Sequence, residues 1–202
     1  MDFRHGLTRR QALAGGGSLL LSGSALAQTD AGWVETVRGE GYAQRAAERL
    51  TLQQNSRLFV NDRVETGGDS RLGLRLGRST QVKLGAYARV RIDNFLVNAG
   101  GVLELQNGEM LFDRPEGAPP ARFSVRSPFA LIAVRGTRFF AGMSNGVFGV
   151  FCARGRVDVS SSGKTVTVLR GQGTNIVGIG GTPSDPTAWG QPRIQSAMAS
   201  VS

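Results

Sequence analysis

The residues with the clearest chemical capacity stand together in Arg135-Gly136-Thr137-Arg138. A guanidinium presents its donors in a planar fork and can grip a carboxylate at two points. The segment suggests two uses. Arg135 or Arg138 could bind the carboxylate of a partner. Alternatively, Arg135 could lock the fold from inside, bonded to backbone carbonyls or to an acid such as Asp62 or Glu65. The apolar run from Phe129 to Val134 before it, and Phe139 and Phe140 after it, favour the internal lock. On that reading, removing the Arg135 side chain costs about 3–5 kcal/mol, as when one member of a buried pair is deleted.

Other chemistry is sparse. The one histidine, His5, lies in the N-terminal segment discussed below, so His-based acid–base catalysis, a Ser-His-Asp triad and His-ligated metals are excluded from the body. The one cysteine, Cys152, cannot form an internal disulfide or a thiolate metal site. Flanked by Phe151 and Ala153, it is expected to be a small buried hydrophobe. The acids are dispersed; Glu104 and Glu109 are close in sequence, but a glycosidase pair also needs a cleft. Gly171 to Ile176 and Gly178 to Pro183 lack the pattern of a phosphate loop. No cofactor and no nucleic acid are expected.

The elements that position these residues are short strands. The run from Phe129 to Val134 has strand length and is apolar on both faces, which predicts burial on both sides. Leu72, Leu74 and Leu76, then Val82 and Leu84, then Val90 and Ile92 recur at period two, as in half-buried strands. Trp33 to Arg38 is expected to be a first strand. Leu103 to Phe112 and Val150 to Val159 each carry a central glycine, Gly108 and Gly155. Gly77 and Gly171 sit in weaker copies of that unit. Glycine at a corner permits the positive φ of a sharp bend. Such units predict an all-β body of stacked short strands, either β-solenoid-like or a β-sandwich. Pro115 to Pro120 is expected to be a surface loop, and Met110, Met143 and Met198 are core candidates. Past Gly178, Ile194, Ala197, Met198 and Val201 fall at helical spacing and predict a short C-terminal helix, with Trp189 covering its start.

The first 27 residues have the character of an export signal. A basic start leads to a short apolar stretch and then Ala25-Leu26-Ala27, which fits the small-x-small cleavage rule. Arg9 and Arg10 suggest the twin-arginine route. Cleavage after Ala27 removes three basic residues and one acidic, so the formal charge falls from +9 to +7. No segment of the remaining 175 residues approaches membrane-spanning length. The arginines are scattered, which favours a solvated surface over a polyanion site.

Several of these pieces together resemble the FecR domain, an exported all-β domain of bacteria. The resemblance rests on Ser127-Pro128-Phe129, on Ala133-Val134-Arg135-Gly136-Thr137 with Phe139, and on Asp62-Arg63-Val64-Glu65-Thr66-Gly67. Gly155-Arg156-Val157-Asp158-Val159 and Leu169-Arg170-Gly171-Gln172 follow in the same order. It divides the chain into a signal at 1–27, a β domain at 33–177, and a linker with a short helix or tail at 178–202. It implies a periplasmic, non-catalytic binding, signalling or scaffold module, with Asp62, Thr66, Gly67, Val134, Arg135, Gly136, Thr137, Gly155 and Gly171 defining the fold. Its partner would be an envelope protein or a cell-wall polymer. The alternatives are adhesion to a polyanion or wall glycan, and a carboxylate-dependent glycan enzyme. Replacing Arg9 and Arg10 by lysine is expected to leave unprocessed precursor in the cytoplasm, read by fractionation and mass; normal processing would exclude the twin-arginine route.

Overall fold

The computed structural model describes residues 28–96, 100–119 and 121–202. The segment expected to be an export signal, with Arg9, Arg10, Ala25 and Ala27, lies outside the described residues. In chain order the strands are β1 (Asp30–Arg38), β2 (Gly41–Arg45), β3 (Glu48–Thr51), β4 (Arg57–Phe59), β5 (Arg63–Thr66), β6 (Arg71–Leu76), β7 (Thr80–Leu84) and β8 (Arg89–Leu96). They continue as β9 (Gly100–Asn107), β10 (Met110–Asp113), β11 (Arg122–Arg126), β12 (Leu131–Ser144), β13 (Val147–Ser161), β14 (Lys164–Leu169), β15 (Gln172–Ile176) and β16 (Thr187–Ala188). A helix, α1 (Gln191–Ala199), follows.

All the strands join one hydrogen-bonded sheet, which does not close into a barrel. Neighbours are antiparallel except β9 and β11, which run parallel. The sheet forks at β12. The first half of that strand pairs with β11, Val134 opposite Phe123, and leads on through β9, β8, β5 and β2 to β3. The second half pairs with β10 on the same edge, Phe140 opposite Leu111, and leads through β7, β6 and β1 to β4. The other edge of β12 is zipped to β13, which forks in turn. Its second half pairs with β14 and its first half with β15. The long β12–β13 hairpin is thus the shared spine of two arms. Antiparallel pairing of this kind is not the parallel stacking of a solenoid. Of the two arrangements the sequence left open, the molecule follows the sandwich-like one.

The inner faces of both arms meet in one core. Leu72, Leu74 and Leu76 from one arm and Val90, Ile92, Leu103 and Leu105 from the other belong to the same buried cluster. At the fork, Phe112 of β10 lies 5.4 Å from Phe139 and 5.6 Å from Phe123 of β11, measured between ring centres. A second, smaller core lies on the outer side of the β10 arm. There Ala197 of α1 and Val201 just beyond it pack with Leu111, Phe140 and Phe151. Trp189 stacks on Phe151 at 5.2 Å. Gly149 and Gly173 make room for that indole: a Cβ on Gly173 would fall 2.2 Å from its ring nitrogen.

The spine bends where Arg135 faces Arg156 and Arg138 faces Arg154. Between those pairs Gly136 and Thr137 oppose Gly155 alone, which is a β-bulge. Gly136 has φ +61° and Gly155 φ +78°, both in the region that glycine enters without strain. The bend turns one hairpin from the first arm into the second, as when strands switch layers at a corner. Gly155 therefore does a different job from Gly108 (φ +79°), which sits between β9 and β10. The two glycines of the apparent repeat are a mid-strand bulge and a turn.

Several expectations need correction. The strand around Leu131 is not buried on both sides: Ile132 and Val134 are buried, whereas Leu131 is 43% exposed and Ala133 is exposed. The reason is that α1 covers the β10 arm, not this one. Met143, at 46%, is not in the core, whereas Met110 is, and Met198 packs against the second cluster. The hairpin β2–β3 and the two-residue β16 gave no clear signal in sequence. Cys152 is fully buried, as expected, and its thiol reaches the Arg154 carbonyl at 3.3 Å. Burial pushes its pKa up.

A Cβ on Gly155 would lie 2.8 Å from the Gly136 carbonyl oxygen and 2.7 Å from Thr137 Cγ2. Gly155→Ala is therefore expected to lose about 2–4 kcal/mol, from left-handed strain and overpacking together. Gly117 has φ +80° and nothing within 4 Å of such a Cβ, so Gly117→Ala should lose only about 1–2 kcal/mol. Urea denaturation of both variants checks the difference.

Candidate functional site: a corner and an arginine-lined groove

The Asp62–Gly67 segment ties the far part of the β5 arm to its neighbours. Asp62 is fully buried. Its carboxylate accepts two bonds from Arg45, both 2.8 Å, and one from the Phe59 backbone N–H at 2.9 Å. The Arg45 guanidinium also stacks 4.3 Å over the Phe59 ring. The hydrogen bond to Asp62 raises the Arg45 pKa, against the opposing effect of burial. Thr66 donates to the Gly85 carbonyl and accepts from the Ala88 N–H. Gly67 donates to the Glu40 carbonyl and accepts from the Tyr87 N–H. The motif residues satisfy backbone groups and leave no reactive side chain free.

Arg135 is placed by its backbone in β12, opposite Arg156; its side chain lies outside the described residues. The acids considered as its internal partners are engaged elsewhere: Asp62 with Arg45, and Glu65 with Arg89 at 2.8 Å. Arg114 is buried at the corner, 4% exposed. Its backbone N–H donates to the carbonyl of the bulged Thr137 at 3.0 Å. Its guanidinium donates to Ser79 Oγ, Thr80 Oγ1 and the Pro119 carbonyl and lies 4.9 Å over the Phe123 ring. Arg114 thereby fastens the 115–119 loop across the fork between β10 and β11. Burial lowers its pKa. Only neutral acceptors hold this charge among the described residues, and removal of the side chain would leave those acceptors without their donor.

Beside the corner lies an open groove of about 580 Å³ between β13 and α1. Phe151, Ala153, Ile194 and Met198 form its apolar part, and Arg138, Arg154 and Arg170 its charged part. Asp113 is shared by two of them, at 2.7 Å from Arg154 and 3.8 Å from Arg138. Glu116, on the 115–119 loop, approaches Arg154 Nε only to 3.6 Å, and that buried nitrogen has no hydrogen-bond partner among the described residues. Arg170 is exposed and forms no ion pair among the described residues. Arg138 was a candidate in the sequence; Arg154 and Arg170 were not. Their signal was present, since each adjoins a positive-φ glycine: Arg154-Gly155 and Arg170-Gly171.

An all-β sheet bent over a shared hairpin, with the Gly136-Thr137 and Gly155 bulge at its corner, is the class defined by this geometry. Within that class the chain belongs to the FecR protein family, whose model matches residues 62–172, more than half of the 202. Two crystal structures of a candidate anti-sigma factor from Parabacteroides distasonis, at 1.65 and 2.50 Å resolution, share the fold. Each superposes with a TM-score of 0.56 at 16% identity, over 67% of this chain and 64% or 63% of that one. The chain thus spans less than two thirds of those proteins. A search of curated proteins gave no significant match.

Asp62→Ala is expected to cost about 3 kcal/mol, because it strips Arg45 of its partner and leaves the Phe59 N–H unpaired. Arg57→Ala, which breaks an exposed pair with Asp30 at 2.8 Å, should cost less than about 1 kcal/mol. Shifts in the denaturation midpoint at constant slope decide between them.

Proposed function

We propose that this chain is an exported, non-catalytic signalling or scaffold module that works by binding another envelope protein. The observation that carries the reading is the FecR match over residues 62–172. Likeness of fold to candidate anti-sigma factors supports regulation over catalysis. The groove beside α1 supplies a surface where a protein could dock. Among the described residues, no helix is long and apolar enough to cross a membrane. The basic start, short apolar stretch and Ala25-Leu26-Ala27 within residues 1–27 support export and the periplasm as the proposed compartment.

Polyanion or wall-glycan adhesion is a weaker reading on the charge pattern. Three arginines on the β5–β8–β9–β11 arm are matched by acids. Arg89 meets Glu65 at 2.8 Å, Arg91 meets Asp93 at 3.6 Å and Glu104 at 3.8 Å, and Arg126 meets Asp93 at 3.5 Å. A matched surface releases few counterions and gives a shallow salt response. Crosslinking in intact cells, followed by fractionation, tests the proposal. One recurrent protein partner in the periplasmic fraction is expected. Protein found only in the cytoplasm, or retention on a sulfated polymer that collapses steeply with salt and no protein partner, would contradict it.

A further inference from the structure

We infer that the groove between β13 and α1 binds an acidic protein segment that also carries apolar side chains. The inference rests on the binding-module reading and names the chemistry of the partner. Three arginines converge on the groove from different places: Arg138 from β12, Arg154 from β13 and Arg170 from the turn after β14. Against them stand Asp113, already divided between two guanidinium groups, and Glu116, whose side chain is 77% exposed. The positive charge is therefore in excess, and it continues past the groove. Arg156 is exposed at the register position opposite Leu169, next to Arg170. It forms no ion pair among the described residues.

The start of α1 adds to this field. Gln191 lines the groove at the first turn, and the cap residue Gly190 offers no side-chain bond to the free N–H groups. No acidic residue stands in that turn. A helix start without compensation favours a negative group nearby.

The apolar part decides between occupants. Ile194 and Met198 are half-buried, and Phe151 lies beneath them with Trp189 stacked behind. A phosphate chain or a sulfated sugar would use the arginines and leave this apolar strip wet. A peptide with carboxylates and apolar side chains uses both. Carboxylates on Arg170 and Arg138 would form charge-assisted bonds, the stronger class of hydrogen bond, while an apolar side chain covers Met198. The groove volume falls within the range of ligand-binding clefts, about 300–1,000 Å³.

The test uses the mature chain and a fluorescein-labelled twelve-residue peptide alternating Glu and Leu, read by anisotropy. An all-Glu peptide and a sulfated polysaccharide serve as comparison ligands. Arg170→Glu is expected to weaken the alternating peptide by about tenfold or more. Arg63→Glu, the same charge change on the exposed side of β5, should alter it less than twofold. The all-Glu peptide should bind more weakly than the alternating one. Melting curves of both variants should match the parent, since each side chain is exposed. No binding of the alternating peptide would overturn the inference. So would equal loss in the two variants, or equal binding of all three ligands. These outcomes do not depend on compartment. A failed peptide experiment leaves export and cellular crosslinking open, and a cytoplasmic location leaves the peptide result standing.

Discussion

The bulge at Gly136, Thr137 and Gly155 is the constraint on which the rest of the molecule depends. A single flat ladder would leave one long face of Leu, Val and Phe in water, and flat sheets of many strands are uncommon. Two residues facing one in the middle of the longest hairpin solve this. The spine bends, each half takes its own set of neighbours, and the two inner faces close on one core. The solution demands left-handed backbone on both strands, met by glycine at each. It also exposes the fork between β10 and β11, which the Arg114 side chain and its backbone bond to Thr137 hold shut.

Hairpin register sets the electrostatics of the groove. Arg138 and Arg154 are partners across β12 and β13, and Arg170 joins them from the turn after β14, although the three are 16 or more positions apart in sequence. Away from the groove the tightest pairing is at Asp62, where a bidentate arginine and a backbone donor occupy a buried carboxylate. At the groove three arginines stand against two acids, beside the apolar strip that α1 leaves open.

The legible parts of the sequence were those with strict period or unambiguous chemistry. Leu72, Leu74 and Leu76, Val90 and Ile92, Cys152 and the helical spacing of Ala197 and Val201 all face inward as their spacing requires. The Asp62–Gly67 and Arg135–Thr137 elements were visible as motifs, and the glycines as positive-φ positions. What they build was not legible, because a mid-strand bulge and a turn use the same residue. Apolar run length misled at Leu131, since covering the outer face depends on where α1 lands. Arg114 was missed because nothing local marks it: its partners Ser79 and Thr80 are more than 30 positions away. The groove was missed for the same reason, although an arginine before Gly155 and another before Gly171 were there to be noticed.

Native-state hydrogen exchange tests the central claim most directly, since it asks whether the two arms are one cooperative unit. The amides of Leu103 and Leu105 in β9 report one arm, and those of Leu72 and Leu74 in β6 the other. If the bent spine joins both arms over one core, all four exchange only through global opening, with the same free energy and the same dependence on denaturant. If one arm opens well below the other, with a smaller dependence on denaturant, the spine does not couple them and the account is wrong.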